Sequence, residues 1–98
     1  MRVRFTTDAR IDLAEIFKYL ADDSPMAAET VFLRIYEACQ ELSEGARRYP
    51  VAFIRNRSEL RRRAVSSYDI YFRIGESGVE VVRVVHGARD TTRLFPDD

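Results

Sequence analysis

The sequence predicts an α+β fold in which an N-terminal helical hairpin packs on a small antiparallel sheet. Residues 2–6 alternate between apolar and polar side chains, which is typical of a half-buried strand. Two helical patterns follow over residues 8–22 and from residue 25 to about 44, and three strand patterns occupy residues 61–85. We therefore expect the order β-α-α-β-β-β in a single domain spanning residues 1–98.

Each helix is predicted from an apolar stripe and a start signal. In the first helix Ala9, Leu13, Ile16 and Leu20 recur at helical spacing after a cap at Thr7 or Asp8. Ser24 and Pro25 are typical of an N-cap followed by proline at the first helical position, and Gly45 is a stop signal. The second stripe consists of Ala28, Val31, Phe32, Ile35, Cys39 and Leu42. Because the link between the helices is short, they should form an antiparallel hairpin.

The sheet is predicted from consecutive strand segments joined by turns. We expect strands at residues 61–66, 68–74 and 79–85, with turns at Ser66-Ser67 and Glu76-Ser77-Gly78. Three strands in a row must pair as an antiparallel meander, which the first strand can join. Residues 46–60 are predicted to be irregular because Pro50 argues against helix there.

Charge is unevenly distributed although the net charge is zero. Residues 1–46 carry five basic and nine acidic groups, which gives −4, whereas residues 47–96 carry eleven arginines and five acids, which gives +6. The second half is therefore the candidate for contact with an acidic partner. The lone Cys39 is expected to be a buried thiol in a reducing cytoplasm. No apolar run is long enough to predict a membrane span, and we expect no contact with a membrane.

Three segments resemble the RelE/ParE toxin–antitoxin superfamily, and its ParE branch in particular. They are the first-helix residues Ala9, Asp12-Leu13, Ile16 and Tyr19, the strand 68–74 (YDIYFRI), and the stretch 82–90 (VRVVHGARD). The resemblance covers nearly the whole chain. It implies a toxin neutralised by an antitoxin whose C-terminal segment wraps it. RelE-like members cut messenger RNA inside the ribosome, whereas ParE-like members poison DNA gyrase.

The residues that RelE-like enzymes use for cleavage are poorly matched. RNA cleavage without a metal needs a base, cations that stabilise the phosphorane, and an acid for the leaving oxygen. The only lysine is Lys18, the third-strand arginine position holds Asp69, and the tail tyrosine position holds Phe95. Only Arg89 matches, so we predict no catalytic residues, no cofactor and no metal. If the chain is a nuclease, the alternative set is His86, Arg89, Arg61, Arg63 and Arg73; a lone histidine is more often structural.

The resemblance implies two partners, a cognate ParD-like antitoxin in a hetero-oligomeric complex and DNA gyrase as target, without sequence-specific nucleic-acid binding by this chain. The candidates for target binding are Arg89, Arg93, Leu94 and Phe95. The candidates for antitoxin binding are Arg61, Arg63, Arg73, Ile16, Tyr19 and Leu20. The arginines also have structural interpretations: a charged strand edge for 61–63 and, for Arg73 and Arg83, pairing with Asp69, Glu80 or Tyr71. The alternative functions are a ribosome-dependent messenger RNA interferase and a degenerate toxin that binds its antitoxin without harming the cell.

Overall fold

The computed structural model describes residues 1–87 and contains three helices and five strands. The helices are α1 (Thr7–Ala21), α2 (Pro25–Gln40) and the short α3 (Leu42–Gly45), which a 3₁₀ turn at Ala46–Arg48 follows. The strands are β1 (Val3–Phe5), β2 (Val51–Arg55), β3 (Ser58–Val65), β4 (Tyr68–Gly75) and β5 (Gly78–His86). This confirms the α+β class and adds one strand to the predicted order.

Side-chain caps define the start of both long helices. The Thr6 hydroxyl accepts a hydrogen bond from the Ala9 amide at 3.0 Å, so α1 is capped one residue earlier than predicted. Thr6 is the better cap because its backbone is extended and its hydroxyl also donates to the Val82 carbonyl at 2.8 Å. The Ser24 cap and Pro25 at the first position of α2 are confirmed. The main helix α2 ends at Gln40, earlier than predicted, and α3 continues the chain to Gly45.

The sheet has the strand order β1-β5-β4-β3-β2. Strands β2 to β5 form an antiparallel meander, as predicted for the last three, and β1 pairs with β5 in the parallel direction. The prediction that residues 46–60 are irregular was wrong, because they include β2 and the start of β3. Pro50 immediately precedes β2 and so removes no ladder hydrogen bond, while Asn56 and Arg57 adopt the positive φ of 50° and 63° that a tight hairpin turn needs.

The core lies between the helical hairpin and one face of the sheet. Its fully buried side chains include Ile35 and Leu42 from the helices, and Ile70, Phe72 and Val81 from the strands. Cys39 is fully buried among them, as predicted. Packing this apolar surface against the sheet is the main stabilising term, and it holds α1 across β5.

The end of β5 extends beyond its partner β1, which leaves strand-edge polar groups to be satisfied by other residues. β1 pairs only with residues 79–81 of β5. Beyond them, Thr6 bonds the Val82 carbonyl, and the Asp12 carboxylate accepts the Val84 amide at 2.9 Å. The start of α1 therefore takes the place of a strand along this edge.

Candidate functional site

A groove of about 410 Å³ runs between α1 and the end of β5, beside the start of β4. It brings together two of the antitoxin-binding candidates, Ile16 and Tyr19, with His86. Tyr19 is 76% exposed and Ile16 is half-buried, so apolar surface is available at the rim. The remaining lining residues are Asp12, Glu15, Tyr68, Val84 and Val85. Leu20 faces a neighbouring cavity with Tyr19, Asp22 and Asp23.

Asp12 and Arg83 form a bidentate ion pair at the base of the groove. The Arg83 Nε and Nη2 donate to the two Asp12 carboxylate oxygens at 2.7 and 2.9 Å. The hydrogen bond to Asp12 raises the pKa of the Arg83 guanidinium above its ordinary value, so Arg83 stays charged. Arg83 lies opposite Tyr71 in the register of β4 and β5, but its guanidinium pairs with Asp12 and not with Asp69 or Glu80. The register shift between Tyr71 and Phe72 occurs beside Arg83, which reaches α1 instead.

The position of Asp12 in the sequence carried a signal that pointed to this pair. Asp12 is three residues after Ala9 and next to Leu13, so it lies inside the apolar stripe of α1. An acid on a buried helix face is rarely tolerated without a partner. The position of Asp12 in the stripe therefore predicts a basic partner, but it does not identify which arginine that partner is. In the structure Asp12 is 6% exposed.

Arg61 and Arg63 both lie on the helix-facing side of the sheet, and both donate to backbone carbonyls of the segment 38–49. Arg63 donates to the Ala38 carbonyl at 2.8 Å, pairs with Glu41 at 2.8 Å, and lies 5.1 Å from the centre of the Tyr49 ring. Arg61 donates to the Tyr49 carbonyl at 2.7 Å. Arg63 therefore supports the C-terminal end of α2, and Arg61 is tied to the segment between the 3₁₀ turn and β2.

Arg73 and His86 are not brought together. The Arg73 Nε donates to Glu80 on the neighbouring strand at 2.7 Å, which matches the cross-strand interpretation. His86 faces Tyr68 across the sheet, with the two rings edge to face at 5.6 Å. Arg73 lies five residues farther along β4 than Tyr68, roughly 17 Å at strand spacing, and on the opposite face. The described members of the alternative nuclease set therefore do not surround one phosphate.

The one cysteine of the chain, Cys39, is among the described residues and is buried. Burial raises the pKa of the Cys39 thiol to about 12, so it stays protonated and cannot act as a nucleophile near neutral pH.

No cluster of histidine, cysteine or acidic side chains within residues 1–87 could hold a metal ion. Within the same residues, none of the helices is long and apolar enough to cross a membrane. Arg89, Arg93, Leu94 and Phe95, the target-binding candidates, lie outside the described residues.

The helical hairpin exposes large apolar side chains. Six of them are between 40% and 80% exposed: Ile11, Phe17, Tyr19, Met26, Leu33 and Tyr36. Phe17, Phe32 and Tyr36 contact one another in a row across the two helices. A run of exposed apolar side chains of this kind is typical of a surface that another protein covers.

Comparison with known proteins agrees with this architecture. A family model described as the ParE toxin of the type II toxin–antitoxin system parDE matches residues 3–91. The chromosomal ParDE toxin–antitoxin system from P. aeruginosa has a similar structure, with a TM-score of 0.72, 18% sequence identity, and coverage of 88% of this chain and 95% of that chain. The toxin–antitoxin complex RelBE2 from Mycobacterium tuberculosis has a TM-score of 0.55, 28% identity, and coverage of 89% and 91%. No curated protein matches the chain.

Two layers, a helical hairpin and a mainly antiparallel sheet, define the class as an α+β protein of the RelE/ParE fold. The chain belongs to the ParE toxin family of type II toxin–antitoxin systems, because the family model spans almost its whole length.

Proposed function

We propose that this chain binds and inhibits DNA gyrase and is neutralised by a cognate ParD-like antitoxin in a cytoplasmic hetero-oligomeric complex. The family match over residues 3–91 carries the proposal, since ParE-like members act on gyrase. Two features of the described residues favour action by binding over catalysis. First, arginines that a nuclease would need are already paired inside the fold. Second, the helical hairpin exposes large apolar side chains.

The first feature concerns the charges that RNA cleavage would need. Arg63 and Arg73 are each paired with an acid inside the fold, so aiming them at a phosphate would break contacts at the end of α2 or between β4 and β5. Arg61 lines a separate cavity at the other end of the sheet from His86. Asp69 stands where the resemblance places an arginine, and a carboxylate there would repel the scissile phosphate. These observations support a toxin that acts as a protein ligand of its target.

The second feature concerns the antitoxin. An amphipathic helix laid across the hairpin would cover the exposed apolar side chains of α1 and α2, and an extended segment could follow the groove at the end of β5. Both similar solved structures are toxin–antitoxin systems, which supports an antitoxin as the partner. Such a segment would order on binding, so apolar burial must supply most of its affinity.

One observation favours a second candidate function. The RelBE2 complex shares 28% identity with this chain, and RelE-like toxins cut messenger RNA in the ribosome. In that case His86 and Arg89 would be the first candidates for catalytic residues. The two functions differ in target and in chemistry, so one experiment separates them.

The experiment adds purified protein to a gyrase supercoiling assay and, separately, to ribosomes programmed with a transcript. We expect loss of supercoiling, accumulation of covalent gyrase–DNA adducts, and intact transcripts. A double variant, Leu94→Ala with Phe95→Ala, should lose the inhibition, whereas Ile54→Ala, a change at an exposed residue on the far edge strand, should keep it.

The opposite result would be cleavage of the ribosome-bound transcript that His86→Ala or Arg89→Ala abolishes, with supercoiling unaffected. That outcome would replace gyrase inhibition with the ribonuclease function. No effect on either reaction would identify the degenerate toxin that binds only its antitoxin.

A further inference from the structure

Three arginines from separate elements converge on one cavity at the end of the sheet opposite the groove. The cavity has a volume of about 210 Å³ and is lined by Arg47, Arg57, Ser58, Glu59, Arg61 and Ile74. Arg47 comes from the 3₁₀ turn, Arg57 from the β2–β3 turn and Arg61 from β3. Three positive charges and one negative charge give the lining a net charge of +2.

Backbone hydrogen bonds hold one of these arginines in position, and a turn sets the direction from which a second one starts. The Arg61 Nη1 donates to the carbonyls of Tyr49, at 2.7 Å, and of Arg47 itself, at 3.3 Å, which ties Arg61 to the segment that carries Arg47. Arg57 has a φ of 63°, so the left-handed turn fixes the direction in which its side chain leaves the hairpin. Pre-organised guanidinium groups lose less conformational entropy when they bind an anion.

Within residues 1–87, no ion pair neutralises the positive charge of this cavity. The ion pairs between residues 1–87 join Arg63 to Glu41, Arg73 to Glu80 and Arg83 to Asp12, and none of them includes Arg47, Arg57 or Arg61. The neighbouring glutamate, Glu59, is exposed. The cluster therefore attracts an external anion.

The charge continues into a second cavity that shares Arg47. This cavity, of about 360 Å³, is also lined by Arg48, whose guanidinium lies against Gly45, and by Glu44. Four arginines against two glutamates give a net charge of +2 over the two cavities. Cations spread over adjoining cavities match a polymer of phosphates better than one isolated anion.

We propose that this arginine cluster, formed by Arg47, Arg48, Arg57 and Arg61, binds the phosphodiester backbone of a nucleic acid without reading its sequence. Guanidinium groups and a hydroxyl such as that of Ser58 are the donors that contact backbone phosphates in proteins. An acidic protein segment is the weaker match. The first cavity offers only Ile74 as an apolar contact, and peptide sites normally bury apolar anchors. The inference does not depend on gyrase or on the antitoxin.

The test measures binding of a fluorescent 20-base-pair duplex of arbitrary sequence, about two helical turns, by anisotropy over a series of salt concentrations. The variant carries Arg47→Gln with Arg57→Gln, and leaves Arg61 in place because it supports the backbone. The matched control carries Arg10→Gln with Arg34→Gln, two exposed helix residues with the same total charge change. Thermal melting monitored by circular dichroism checks that both variants remain folded.

We expect the wild-type affinity to fall steeply with salt, as counterion release requires. The cluster variant should bind at least about tenfold more weakly at low salt, with a salt slope shallower by about 2, or about 1 for each lost phosphate contact. The control variant should retain the wild-type slope.

Four outcomes would overturn the inference. They are no binding of the duplex by the wild type, an equal loss in both variants, displacement of the duplex by millimolar inorganic phosphate at matched ionic strength, and tighter binding of an oligoglutamate peptide than of the duplex. The third would indicate a site for a free phosphate, and the fourth a site for an acidic protein segment.

Discussion

The Asp12 carboxylate on α1 holds both the Arg83 guanidinium and the Val84 amide of β5, 71 and 72 positions away in the chain. One carboxylate therefore neutralises a half-buried charge and satisfies a strand edge that no other strand covers. It also fixes α1 against β5 at the base of the groove. The two segments joined in this way are the first helix and the last strand of the described chain, so the contact closes the fold from end to end.

Replacing Asp12 should destabilise the protein strongly. Asp12→Ala leaves the Arg83 guanidinium, 19% exposed, without its counter-charge and leaves the Val84 amide without an acceptor. We expect a loss of about 3 kcal/mol in the free energy of unfolding, measured by chemical denaturation. Asp23→Ala, a change at an exposed acid near the end of α1, should alter it by less than about 0.5 kcal/mol.

A second substitution tests whether the destabilisation comes from the charge that Asp12→Ala leaves unpaired on Arg83. Adding Arg83→Met to Asp12→Ala removes the unpaired charge, so the double variant should recover part of the lost stability. A double variant that is less stable than Asp12→Ala would show that Arg83 stabilises the fold independently of Asp12.

Gly78 should not tolerate a side chain, because it combines a positive φ with close contact to β1. Its φ is 128°, and a Cβ atom there would lie 2.3 Å from the Arg2 carbonyl oxygen. Gly78→Ala should therefore separate β1 from β5 and cost roughly 2–3 kcal/mol of unfolding free energy. Gly75→Ala, in the same hairpin, is the control, since the nearest atom to its Cβ is 3.9 Å away. Equal effects of the two substitutions would contradict this explanation.

Local periodicity was sufficient to predict both long helices and the meander of the last three strands. It did not reveal β2, because five residues after Pro50 give too short an alternation to stand out from a loop. It also could not assign the partner of Arg83, since that contact joins elements far apart in sequence. Similarly, His86 and Arg73 looked compatible with one site until the pairing of β4 with β5 placed them on opposite faces.

Tyr19 should contribute to antitoxin affinity and not to folding. It is 76% exposed at the rim of the groove, so Tyr19→Ala removes little buried surface from the free toxin. If the antitoxin covers the groove, this truncation should weaken its binding about tenfold or more, as for other aromatic contact residues. Isothermal titration calorimetry with the purified antitoxin would measure the change.

The matched control for Tyr19 is Ile54→Ala, which removes a side chain of similar exposure, 74%, from the outer strand β2. Its antitoxin affinity should equal that of the wild type. A larger effect at Ile54 than at Tyr19 would place the main antitoxin contact on the β2 edge of the sheet.

Cys39 should make stability fall with rising pH in the alkaline range. Burial raises the thiol pKa from 9.0 to about 12 in the folded protein, so between these values the unfolded chain releases a proton that the folded chain keeps. Deprotonation therefore favours unfolding, and the contribution of the thiol is complete below pH 9 and declines above it. Relative to Cys39→Ala, the wild type should lose about 1.4 kcal/mol per pH unit between these values. Urea denaturation at a series of pH values measures both proteins, and parallel pH profiles would show that the thiol becomes accessible to water in the native state.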